Sequence, residues 1–126
     1  MRFIVACASV IALAVVTVGL FPVHASADRD DMVSRGRYLT NDGVKCVDCH
    51  GARLQGMQLG FMRPGMPIAY YAPKIAGLPM LSQPAAVRFF QTGLLPGGGR
   101  ARPPMPQFRF SRSDAQAITA YLRSLR

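Results

Sequence analysis

Cys46, Cys49 and His50 fall within the five consecutive residues Cys46-Val47-Asp48-Cys49-His50, and no other Cys or His follows residue 27. Three such ligands are one short of a structural zinc site, which takes four from the protein. A thioredoxin-like thiol pair calls for a βαβ setting, and no run of residues alternates long enough to suggest one. A plain disulfide stays open in an exported chain. The C-x-x-C-H spacing is itself the attachment sequence for c-type haem. Two thiols on one helical turn reach the two vinyl groups at a porphyrin edge, and the adjoining imidazole turns toward the iron. This reading assigns Cys46 and Cys49 to covalent attachment of one haem c per chain and His50 to the iron.

Three short helices could position those residues. The first is expected within Arg29–Thr40, with Asp30 and Asp31 at the positive end of its dipole, Val33, Tyr38 and Leu39 on its apolar face, and Asn41-Asp42-Gly43 as its stop. The second is expected over Gln83–Thr92, with Ser82 as N-cap, Pro84 in the first turn, Val87 and Phe90 inward, and Gly93 past its end. The third runs to the C-terminus from Ser111, which can cap it with Asp114 three residues on. Ile118, Tyr121, Leu122 and Leu125 follow at helical spacing. Gly36 and Tyr121 make a pair of interest, because a glycine on one helix lets a ring from another come close. Residues 51–106 hold 9 Gly and 9 Pro in 56 positions. That interval cannot be mostly regular structure, and so long a loop region in a small domain needs a reason such as a large ligand to wrap.

The chain has 126 residues and a formal net charge of +9, which allows one domain. Residues 1–27 read as an export signal: Met1-Arg2, then the uncharged stretch Phe3–Phe21, then Ala25-Ser26-Ala27 as the cleavage site. The stretch is 19 residues long, so an uncleaved anchor is the alternative, a span needing about 20. Cys7 and His24 would leave with the signal. The mature domain is then 28–126, with one basic residue fewer and a net charge of +8. The expected location is the periplasm, where nucleic acid is not an available partner.

The chain resembles class I c-type cytochromes, the small monohaem carriers and the haem domains of bacterial dehydrogenases. The matching pieces are Arg35-Gly36-Arg37-Tyr38-Leu39, the C-x-x-C-H motif, Arg102-Pro103-Pro104-Met105-Pro106, and Ala120-Tyr121-Leu122-Arg123-Ser124-Leu125. The resemblance implies an all-α fold, a small cytochrome c domain of about three main helices with long Gly/Pro-rich loops around one haem. It covers most of residues 34–126 and is weakest in the Met-rich loop Gly51–Met80. The first and last pieces correspond to the family's two crossing helices.

The resemblance also places a ligand methionine shortly before the last helix, where Met105 stands. Pro103, Pro104 and Pro106 stiffen its loop, so the thioether loses little entropy on binding iron. Met57, Met62, Met66 and Met80 read as loop packing. A soft thioether favours ferrous iron and raises the reduction potential, and two filled axial positions leave oxygen no place to bind. The expected function is therefore electron transfer, not catalysis, as a free carrier or as the haem subunit of a dehydrogenase or oxidase complex. Arg100, Arg102 and Tyr70 or Tyr71 suit the haem propionates. The basic charge should steer the protein to redox partners with acidic docking surfaces or to anionic membrane surfaces. Two other functions are weighed: a haem sensor or small catalytic cytochrome with an exchangeable sixth ligand, and a copper-handling protein built on Met57, Met62 and Met66.

Overall fold

The computed structural model describes residues 23–60, 65–66 and 68–126. Helix α1 spans Val23–Tyr38 and passes into one wider π turn, Leu39–Gly43, which Val44 N–H closes on the Leu39 carbonyl at 3.0 Å. The short helix α2, Val47–His50, carries the C-x-x-C-H motif. Two-residue strands β1 (Met57–Gln58) and β2 (Tyr71–Ala72) pair antiparallel, Met57 opposite Ala72 and Gln58 opposite Tyr71. Helices α3 (Gln83–Thr92) and α4 (Arg112–Ser124) complete the domain. The expected all-α class holds, and the described part of the Gly/Pro-rich interval adds to α3 this small hairpin and one isolated antiparallel bridge, Leu94 with Arg100.

The caps act as their residue types require. Ser82 Oγ accepts from Ala85 N–H at 3.4 Å, and Gly93, at φ 68°, closes α3 through a 2.6 Å bond to the Phe89 carbonyl. Ser111 Oγ accepts from Asp114 N–H at 3.1 Å. The Asp114 carboxylate does not return to the Ser111 backbone as in a full capping box. It accepts from Arg35 Nε of α1 at 2.7 Å, and the guanidinium beside it holds its carboxyl below the usual range. Arg35 is well exposed, so the pair orients the two helices more than it stabilises them.

α1 and α4 cross at Gly36. A Cβ built there would overlap the Ala117 carbonyl and lie 2.8 Å from Tyr121 Cβ. The absent side chain therefore sets the distance between the helices. Tyr121 is buried against the crossing, and its hydroxyl accepts from Asn41 Nδ2 at 3.1 Å. Val33 and Leu39 are half-buried and pack on the core, but Tyr38 is 62% exposed, against expectation. Its position explains this: the buried side of α1 is set by Gly36, and a residue two steps along a helix points away from that side.

Ala86, Phe89 and Phe90 of α3 pack with Ala115, Ile118 and Leu122 of α4 to form the core. Val87, expected inward, is half-buried while its neighbour Ala86 is fully buried. The loops are tied to this frame by backbone bonds: Ile75 and Ala76 N–H to the Leu54 carbonyl, and Gly77 N–H to that of Leu122 at 2.7 Å. No helix among the described residues is long and apolar enough to cross a membrane. Most of the expected signal or anchor, residues 1–22, lies outside the described residues, while Val23–Ala27 form the start of α1.

The crossing predicts a sharp contrast between two glycines. Gly36→Ala should destabilise the protein by more than the roughly 1–3 kcal/mol usual for overpacking, because its obstacle is backbone. Gly43→Ala, whose added carbon would meet nothing nearer than 3.7 Å, should change stability little. Denaturant unfolding midpoints of the two variants would show it, and equal midpoints would refute the close-approach account.

Candidate haem site

The π turn delivers the chain to the motif. Thr40 is fully buried and its carbonyl accepts from Cys46 N–H at 2.9 Å, so the turn and the first thiol residue are joined directly. Within α2, His50 N–H bonds back to the Cys46 carbonyl at 2.8 Å, which puts Cys46 and His50 one helical turn apart. Lys45, just before the motif, takes a left-handed φ of 53°. Gly51, at φ 83°, ends the helix.

His50 is 5% exposed, and its ring Nδ1 lies 2.7 Å from the Pro73 carbonyl oxygen. A carbonyl only accepts, so Nδ1 carries the proton and Nε2 keeps its lone pair for a metal. The same bond fixes the ring's orientation. Burial pushes the Cys46 thiol up to about 11, a backbone hydrogen bond opposing and the nearby Cys49 adding. A redox-active C-x-x-C pair depends on a lowered thiol, so Cys46 has the wrong environment for that role.

Cys46, Cys49, His50 and Met105 all line one cavity of about 810 Å3, within the size range of cofactor sites. Its walls are apolar, with Leu59, Leu78, Phe89, Phe90, Leu95 and Phe108 among them. Lys45, Lys74, Arg100 and Arg102 also line it and are exposed, so cationic groups sit where the cavity meets solvent. This inventory fits a haem: two thiols for the vinyl groups, an imidazole and a thioether for iron, apolar walls for the macrocycle, and cations for two carboxylates. Among the described residues no group of three or more His, Cys, Asp or Glu side chains is placed to hold a bare metal ion.

Other expected residues divide. Tyr71, Arg100 and Arg102 line the cavity, whereas Tyr70 does not and turns its hydroxyl toward the Met66 carbonyl at 3.4 Å. Met57 and Met66 are exposed and outside the cavity. Met80 lines it but is 76% exposed, so it packs little. Met62 lies outside the described residues. Sequence reasoning missed Lys45, Lys74 and Pro73. For Lys45 the signal was its adjacency to the motif, and for Lys74 there was none. For Pro73 there was none, since the acting group is a backbone carbonyl 23 residues from His50.

Comparison with protein families matches residues 33–126 to cytochrome c. No curated protein and no solved structure matches the chain. The family match takes in the end of α1 that carries Gly36, all of α4, α2, the cavity lining and Met105. Members of this family carry covalently attached haem c and transfer electrons to and from redox protein partners, and Cys46-Val47-Asp48-Cys49-His50 fits the attachment motif. The chain, through three quarters of its length, belongs to the cytochrome c family.

Proposed function

We propose that the protein is an exported monohaem electron carrier, with Cys46 and Cys49 as the two thioether positions and His50 Nε2 and the Met105 sulfur as the axial ligands. The observation that carries this reading is that His50, its Nδ1–H committed to Pro73, and Met105 line the same apolar cavity as the two thiols. The bound haem supplies a one-electron couple. The chain's residues hold it and set its potential. Pro73 makes the imidazole a better donor by accepting its proton-bearing side. Met105 opposes that with a soft thioether that favours the ferrous state. Leu59, Leu78, Phe89 and Phe90 keep water from the macrocycle, which lowers the local dielectric and disfavours added charge.

Arg100, Arg102, Lys45 and Lys74 serve two purposes at the cavity mouth. They neutralise the propionates and present positive charge where an electron would cross to a partner. The mature net charge of +8 falls to about +6 once two carboxylates are counted, which favours acidic docking surfaces. Export rests on the Phe3–Phe21 stretch and the Ala25-Ser26-Ala27 site, with a mature chain from about Asp28 in the periplasm.

Met105→Ala should remove the weak far-red thioether band of the ferric protein, lower the potential by on the order of 100 mV, and let the ferrous form bind carbon monoxide. Met57→Ala, Met66→Ala and Met80→Ala should leave the band in place. Its survival in Met105→Ala, or its loss in one of the other three, contradicts the ligand assignment.

Electron exchange with an acidic partner should slow by on the order of tenfold or more as ionic strength rises from about 0.01 M to about 1 M. Stopped-flow rate constants that stay level or rise would contradict docking by charge at the mouth.

A further inference from the structure

The hairpin of β1 and β2 is anchored at its base on one proposed iron ligand. Gly56 N–H, just before β1, donates to the His50 carbonyl at 2.8 Å, and Pro73, just after β2, accepts from the His50 ring at 2.7 Å. Its far end reaches another part of the cavity wall. Leu59 N–H extends the ladder to the Tyr70 carbonyl at 2.8 Å, and Ala69 N–H donates to the Pro103 carbonyl at 2.8 Å. Pro103 lies two residues before Met105, whose own N–H bonds to the Arg102 carbonyl at 3.2 Å in the same turn. Ala69 and Met105 both line the cavity. Residues 68–73, paired through β2 with 56–60, thus join His50 to the loop bearing Met105.

We propose that this hairpin is a positioning strap for the sixth ligand, with the Ala69 amide as the group that holds the Met105 loop in place; the inference rests on the axial assignment given above. The prolines restrict the loop's shape but do not locate it, since Pro103 and Pro104 have no N–H to tie it to a neighbour. The Ala69 bond supplies that location from a segment already fixed to His50. Loss of the bond leaves the loop's internal shape intact while allowing it to swing from the cavity. The sixth position then opens more often, although Met105 itself is unchanged.

The test is Ala69→Pro, which deletes the donor, beside Ala69→Ser, which keeps it, both as the haem-loaded exported protein. A net hydrogen bond of ordinary strength corresponds to a rise in the Met-off fraction on the order of 3- to 10-fold in Ala69→Pro. It is read from the far-red band and from the rate of carbon monoxide binding to the ferrous form, with Ala69→Ser like the parent. A folded Ala69→Pro whose Met-off fraction equals the parent's overturns the proposal.

If proline at 69 prevents folding, coupling is read in the other direction, because linkage between two sites is reciprocal. In Met105→Ala the Ala69 amide should exchange with solvent deuterium on the order of tenfold faster, while the Ala86 amide in α3 is unchanged. Equal Ala69 exchange in the two proteins overturns the strap. Survival of the far-red band in Met105→Ala would instead remove the axial assignment, and the strap with it, so the two failures are distinguishable.

Discussion

At Gly36, α1 meets α4 with no room for a side chain, and the site depends on that contact for position. Gly36 lies ten residues before Cys46, and Ala117, the residue whose carbonyl it meets, lies twelve after Met105. The crossing therefore clamps both ends of the stretch that carries every proposed haem contact. Tyr121 extends the clamp by meeting Gly36 with its Cβ and Asn41 with its hydroxyl. The π turn containing Asn41 then passes its register to Cys46 through the Thr40 carbonyl. Such turns collect at functional sites because they redirect a helix without ending its hydrogen bonding.

Between the clamped ends, the Gly/Pro-rich loops enclose apolar side chains around a space of about 810 Å3. Such a lining leaves water only against a group that fills the space, at about 25 cal/mol per Å2 of apolar surface buried. A planar, largely apolar macrocycle held by two thiols would serve, and the haem is thus as much a core component as a redox group. The unusual length of loop is then the means by which so small a chain surrounds a large cofactor.

The features that could be read in advance are those whose cause is local. The C-x-x-C-H spacing, the Ser82 and Gly93 caps, and the helical run through Tyr121 and Leu122 each depend on residues within a turn or two of one another, while the fold class came with the family resemblance. The pairing of Gly36 with Tyr121 was visible because a glycine among larger residues marks a near neighbour. Tyr38 was misplaced because its burial is decided by which side of α1 meets α4, a property of the crossing rather than of the α1 sequence. Pro73 and the Ala69–Pro103 bond were not legible at all, since backbone carbonyls and amides carry no signature in residue type. The Met-rich loop likewise gave no sign of a hairpin, its strands being two residues each. Met105 stood out from the other methionines by its prolines, and the cavity holds Met80 as well as Met105 in its lining.

The central claim is that this fold closes around a haem bonded to the chain itself. Intact-mass analysis of protein matured in a haem-attaching host, denatured in acidic organic solvent, tests it most directly. The account predicts a polypeptide beginning near Asp28 with the mass of one haem retained on each chain. A bare polypeptide mass, with the haem released into the solvent, would contradict it.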